Sequence, residues 1–311
     1  MTAKNFSTSI LIALTLAFWV PSVSAGPAPK SLKLEKGSRV VLIGNNLGSR
    51  MLNYGHFETE MQLRNPEKNL IIRNMCDGGN TPGFRPHSSR KLKMHFAFPG
   101  ADKFYTDKKT SAASGFSESE DQWLTRLKAD TIVAFFGYTE SYRGTAGIAS
   151  YKEELDAFIK HTLKQKYNGK NAPQLALVSP IAFQDLSAKY DYPNGIEQNK
   201  NLTLYTAAMN EVAAKNGVLF LDAYSPSKQW FSTGKELTID GSQLNDAGYK
   251  MFANMVINSI FGQSASKAES YRKAVHAAVI DKNWYWHNDF KIPNGVHVNG
   301  RRYKPFGPAN Y

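Results

Sequence analysis

The chain has 311 residues, 42% hydrophobic and 21% charged, proportions ordinary for a globular protein with one large domain or two modest ones. Its formal net charge of +12 favours acidic partners, but the Lys and Arg residues are scattered and no zinc, RNP or basic-helix motif is present, which argues against nucleic acid. A single cysteine, Cys76, excludes an intrachain disulfide, and the seven His residues stand too far apart for metal-ligand spacing, so neither a metal nor a cofactor is expected.

Lys4, the apolar stretch Ile10–Val20 and the small residues Val23-Ser24-Ala25 read as a signal peptide spanning residues 1–25. The apolar run is shorter than the ~18 residues of a membrane span. Secreted or periplasmic export follows as the expectation, with no integral membrane span after cleavage. Removal of this segment takes one basic residue, Lys4, and leaves a charge of +11.

After a Pro- and Lys-containing lead-in, Arg39–Ile43 is a continuous apolar run, as expected of a strand buried on both faces. Leu47 to Leu63 has near-helical apolar spacing, closed by Pro66, and Asn69–Arg73 is the second strand. Asn74 to Ser119 is long and irregular, a length that usually marks a functional loop or an insertion. A helix over 119–128 leads into a third strand, Thr131–Phe136, which ends at Gly137. Ile148 to Leu163 is an amphipathic helix, and Gln174–Ser179 is the fourth strand. Leu202 to Ala214 is a helix with Gly217 as its C-cap. Val218–Leu221 is the fifth strand, and Asn245 is placed to N-cap the last helix of the domain.

Five strands alternating with helices predict an α/β fold, a three-layer, doubly wound α/β/α domain with a five-stranded parallel sheet, over residues 26–265. The tail, 266–311, is read as a helix from Ser266 to Asp281, then an aromatic cluster, Asn283–His287, and a hairpin over Val296–Tyr303 turning at Asn299-Gly300. It is expected to pack on the domain, since large aromatics mostly serve packing area.

In open α/β sheets, ligands and catalytic groups collect at the carboxyl ends of the strands. Four blocks lie there: Gly44-Asn45-Asn46-Leu47 after strand one, Asn74 to Thr81 after strand two, Gly137-Tyr138-Thr139-Glu140 after strand three, and Asp240-Gly241-Ser242-Gln243 before the last helix. Their order and strand context resemble the SGNH (GDSL-like) hydrolases. In that family the blocks read Gly-Asp-Ser-Leu, Ser-Gly-Asp-Thr, Gly-x-Asn-Asp/Glu and Asp-x-x-His. The resemblance covers roughly residues 38–262 and is nearest to secreted bacterial members. It implies the flavodoxin-like sheet order and an ester-hydrolase site.

Carried over by position, the resemblance puts the nucleophile at Asn46, the oxyanion glycine at Gly79, the oxyanion asparagine at Thr139, the orienting aspartate at Asp240 and the base at Gln243. Gly79 and Asp240 match the family. Asn46 has an amide for a hydroxyl, so no acyl-enzyme can form on it, and Gln243 does not titrate near neutral pH and cannot be a general base. Loss of either costs several powers of ten in a triad hydrolase. Ser49, Cys76, a water activated by Asp240, and His87 or His95 are weaker candidates to replace the missing groups.

The sequence therefore leads to a pseudoenzyme of the esterase class. Its neutral, donor-rich cup of Asn46, Gly79, Thr139 and Gln243 would bind a small-molecule, acyl-ester or glycan-like ligand. An active esterase with relocated groups, acting on a carbohydrate or lipid ester, is the first alternative. A structural or assembly protein is the second.

Overall fold

The computed structural model describes residues 27–86, 96–105 and 118–291. The proposed signal peptide, His87, His95 and the expected hairpin at 296–303 lie outside the described residues. The elements run in the order β1 (Arg39–Gly44), α1 (Asn46–Ser49), α2 (Met51–Tyr54), α3 (His56–Arg64), β2 (Ile71–Asn74), α4 (Glu120–Leu127), β3 (Thr131–Phe135), α5 (Tyr138–Ser141), α6 (Ile148–Thr162), β4 (Gln174–Val178), α7 (Ile196–Asn216), β5 (Leu219–Leu221), α8 (Tyr224–Phe231), α9 (Asp246–Phe261) and α10 (Arg272–Trp286).

All four strand pairings are parallel, in the order β2-β1-β3-β4-β5. This is the doubly wound order with its switch point between β1 and β3, the place where such sheets open a crevice at their carboxyl edge. Alternation along β1 explains the three layers. Val41 and Ile43 enter one core with Leu124 of α4, Leu155 and Phe158 of α6 and Met209 of α7. Val40 and Leu42 enter the other with Phe57 and Met61 of α3 and Phe252, Val256 and Ile260 of α9. The period-two reversal of side chains puts each set on its own face.

Several elements differ from their sequence reading. The helix expected over Leu47–Leu63 is three short helices: α1 and α2 meet at Arg50, and Gly55, left-handed (φ 62°), separates α2 from α3. The second strand starts two residues late, after Asn69 in a left-handed conformation (φ 49°). Helix α7 begins at Ile196, six residues before its apolar periodicity does. Its first turns face solvent, with Ile196 67% exposed, so no amphipathic signal marks them. Helix α8 has no counterpart in the sequence reading; Pro226 falls in its first turn, where proline is tolerated.

The Asn283–Trp286 part of the aromatic cluster is the last turn of α10, not a separate feature. Trp286 Nε1 donates to the Asn74 carbonyl (2.6 Å), and Asn283 Nδ2 donates to the Leu52 carbonyl (2.9 Å). The Trp286 ring stacks on Phe290 and meets Trp123 edge-on. Helix α10 is thus bound to α2, α4 and the end of β2.

Candidate functional site

The turn after β1 forms because Gly44 adopts φ 123°, and a Cβ there would lie 2.1 Å from the Phe135 carbonyl oxygen of β3. Only glycine allows the two strands to close at this point. The chain then enters α1. The Asn45 N–H donates to that same carbonyl (2.9 Å), and its Oδ1 accepts from the Leu47 N–H (3.2 Å) as an N-cap. The far end of α1 is fixed as well. Tyr249 Oη donates to the Leu47 carbonyl (2.9 Å), and Asn74 Nδ2 donates to the Gly48 carbonyl (2.7 Å). Asn46 is the first helical residue of this clamped turn.

The loop before α9 is equally determined. Thr238 pairs with Leu244 across an antiparallel bridge, and the Ile239 N–H donates to the Gln243 carbonyl (2.9 Å). Buried Gln184, in the segment after β4, anchors the loop. Its Oε1 accepts from the Leu237 and Thr238 N–H groups (3.0 Å each), and its Nε2 donates to the Lys235 carbonyl (2.6 Å). Within the loop, Asp240 Oδ1 accepts from the Ser242 N–H (2.8 Å), Ser242 Oγ (3.0 Å) and the Gln243 N–H (2.8 Å). Asp240 Oδ2 accepts from Gln243 Nε2 (2.7 Å). An ionised carboxylate only accepts, so the nitrogen of the carboxamide must be the atom facing it. The planar amide then directs Gln243 Oε1 away from Asp240.

The turn after β3 is closed by Glu140, whose Oε2 accepts from the Gly137 N–H (2.8 Å). This presents Tyr138, whose hydroxyl lies 3.2 Å from that of Tyr142. Burial pushes the Tyr138 hydroxyl above the usual phenol range. Glu140 is buried, and its Oε1 has no hydrogen-bond partner. Desolvation and, behind it, the charge of Glu154 push its carboxyl up to about 8. Buried Glu154 accepts from Thr81 Oγ1 (2.8 Å), the Gly83 N–H (2.7 Å) and the Tyr105 hydroxyl. Its own Oε2 and the Tyr151 hydroxyl are also unpartnered.

These three turns and the segment after β4 border a shallow, open cleft. Asn45, Asn46, Leu47 and Arg50 line it from the first turn, Tyr138 from the second, and Ser242 and Gln243 from the third. Pro180, Ile181 and Tyr249 complete it. Of the residues singled out from the sequence, Asn46 and Gln243 share this cleft, and Asp240 stands behind Gln243. Gly79 is exposed, and neither Gly79 nor Thr139 is among the lining residues. Cys76 is fully buried in the core under α1, away from the lining. Tyr138, Ser242 and Arg50 went unread in the sequence. The first two sit inside recognised blocks at positions the family pattern leaves open. Arg50 lies one turn past the first block. Its charge means that the cleft is not neutral.

Tyr138 also walls a second, open hollow of about 120 Å³, together with Ser141, Tyr142, Leu202 and the polar side chains Glu197, Gln198 and Asn201 of α7. Tyr142 is 73% exposed there. Among the described residues no group of three or more His, Cys, Asp and Glu could hold a metal ion, and no helix is long and apolar enough to cross a membrane.

No protein-family model matches the chain, and no curated protein matches it in sequence. Solved structures do match in fold. A variant of an acetyl-xylooligosaccharide esterase from Geobacillus covers 76% of this chain and 100% of its own, at 16% identity and a TM-score of 0.51. A catalytic mutant of an acetylxylan esterase from Geobacillus stearothermophilus gives the same coverages at 15% identity and a TM-score of 0.50. A gut microbial diltiazem-metabolizing enzyme matches over 74% of this chain and 48% of its own, at 14% identity and a TM-score of 0.51. At these identities the likeness is one of fold, a five-stranded parallel sheet with flanking helices that esterases also use.

Proposed function

We propose that this chain is an exported protein of the SGNH hydrolase class that binds an acylated sugar in the cleft at the β1/β3 switch point and does not hydrolyse it. The observation that carries this reading is the pairing of Asn46 and Gln243 in one cleft, with the Gln243 amide held on Asp240 by a 2.7 Å hydrogen bond. In a Ser-His-Asp hydrolase the aspartate holds a histidine in this way so that the other ring nitrogen can take the serine proton. Here the same support carries a carboxamide, which offers an acceptor but takes no proton at neutral pH. Asn46 likewise supplies amide donors and an acceptor where an attacking hydroxyl would stand. The site keeps hydrogen-bonding geometry suited to ester carbonyls, N-acetyl groups and sugar hydroxyls, and lacks the two reactive groups.

The adjoining hollow favours a sugar over a short simple ester. An exposed tyrosine beside two amides and a carboxylate offers a stacking face next to hydroxyl-binding groups. Export rests on the composition of residues 1–25.

One observation favours the alternative of an active esterase: Ser242 lies in the cleft and its hydroxyl donates to Asp240. Assays on p-nitrophenyl acetate and acetylated xylooligosaccharides, with calorimetry on the latter, separate the two. The proposal expects binding heat that depends on the acetyl groups, with no turnover above buffer. Turnover abolished by Ser242→Ala or Cys76→Ala would establish the alternative.

A further inference from the structure

Arg50 stands one helical turn past Asn46, and its N–H donates to the Asn46 carbonyl (3.0 Å). Its side chain lines the cleft. One terminal nitrogen donates to Tyr54 Oη (3.1 Å), and the guanidinium lies 5.9 Å from the centre of that ring. Its Nε is buried and has no acceptor. Among the described residues no carboxylate pairs with it. The two arginines that are buried among the described residues are each closed by an acid, Arg64 by Glu60 and Arg85 by Glu120. Asp240, which stands behind Gln243, is committed to Ser242 and Gln243.

The other side chains lining the cleft are uncharged, so its one formal charge is positive. A cation held in a cleft by one neutral hydroxyl, with an N–H donor unused, lacks the counter-charge that proteins normally supply to a shielded charge. A guanidinium also matches a planar carboxylate better than any other side chain does. The excess of basic residues over the whole chain would gather such a ligand from solution.

We infer that the ligand carries a carboxylate, that it is an acylated uronic-acid saccharide, and that Arg50 reads its charge while Asn46 and Gln243 meet its neutral groups. The saccharide part rests on the function proposed above. The carboxylate part rests on Arg50 alone.

The test follows the arginine Nε–H resonances of ¹⁵N-labelled protein during titration with sodium D-glucuronate, with D-glucose and sodium chloride as controls. The Arg50 resonance is identified by its absence in Arg50→Lys. The expected result is a saturable shift of that resonance with glucuronate and none with glucose or with chloride at equal ionic strength. No saturable shift, or the same shift with glucose, overturns the inference.

Calorimetry on acetylated oligoglucuronate, its methyl ester and its deacetylated form supplies the second arm. A charge-assisted pair predicts about tenfold or greater preference for the free acid over its methyl ester, lost in Arg50→Gln. Equal binding of acid and ester by the unmodified protein, or a preference that survives Arg50→Gln, contradicts the role given to Arg50. If glucuronate is bound but acetylation makes no difference, the carboxylate stands and the acylated-sugar reading falls. If neutral acetylated xylooligosaccharide binds as tightly as the uronate, the reverse holds. The spectroscopic arm reads binding on the unmodified protein and takes its assignment from the charge-conserving Arg50→Lys, so a failure of Arg50→Gln to fold leaves it decisive.

Discussion

Replacing Glu140 by Gln should stabilise the protein at alkaline pH and leave it nearly unchanged in acid. The Glu140 side chain serves the turn that presents Tyr138 to the cleft, since its Oε2 accepts from the Gly137 N–H (2.8 Å). A glutamine carbonyl can accept the same bond. The other oxygen is buried without a partner and feels the charge of Glu154. A glutamine there places a donor where the carboxylate placed a second negative charge.

The direction with pH follows from proton linkage. Below the reference value of 4.5, the carboxyl is neutral in both the folded and the unfolded chain and costs nothing. Between 4.5 and about 8 the unfolded chain releases its proton and the folded chain retains it, so stability falls as pH rises. Above 8 both are ionised and the loss is complete. At about 1.4 kcal/mol per pH unit, the window corresponds to an upper bound of about 4–5 kcal/mol. Some of that will be relieved by local relaxation. We expect Glu140→Gln to gain about 2–4 kcal/mol at pH 9, roughly 5–10 °C in Tm for a chain of this size, and under about 1 kcal/mol at pH 4. Denaturant melts of both proteins from pH 4 to 9 test this, because other titrating groups cancel in the difference. A gain that is flat with pH, or a loss at pH 9, would refute the assignment of Glu140 as a buried acid held neutral by its surroundings.

Asp240→Asn should cost under about 1.5 kcal/mol yet weaken calorimetric ligand binding, because its oxygen can keep the Ser242 and Gln243 N–H bonds while its new amide group requires the Gln243 carboxamide to flip, turning Nε2 instead of Oε1 toward the cleft; melts and calorimetry read the two effects separately. Trp286→Ala removes a buried ring and its hydrogen bond to the Asn74 carbonyl, and should destabilise the protein by about 3–5 kcal/mol in urea. Faster hydrogen exchange along α10 would accompany it. Gly44→Ala should prevent soluble expression or cost more than about 4 kcal/mol, since its Cβ would overlap the Phe135 carbonyl at a positive φ.

The sheet was legible because its central strands β1, β3 and β4 are buried along nearly their whole length and therefore largely apolar, and a glycine or proline stands at or just after the end of each of them. Asn45 and Asn46 were legible for the same reason, as the residues forced to follow a strand into a tight turn. Helix starts were less so. Ile196 begins α7 in solvent, where periodicity carries no information. The site was only half readable. Block patterns locate residues along the chain but say nothing of which side chains converge, so Gly79 and Thr139 were grouped with Asn46 although neither lines its cleft. Arg50 and Gln184 belong to no block. Arg50 becomes significant only when no carboxylate among the described residues is seen to pair with it in three dimensions, and Gln184 only when its three partners around Leu237 and Thr238 are.

The most direct test of the central claim is the rate of p-nitrophenyl acetate hydrolysis by the Asn46→Ser, Gln243→His double variant beside the unmodified protein. The account predicts none above buffer for the unmodified protein and measurable turnover for the double variant, lost again on adding Asp240→Asn. Hydrolysis by the unmodified protein, at a rate the double variant does not exceed, would contradict it.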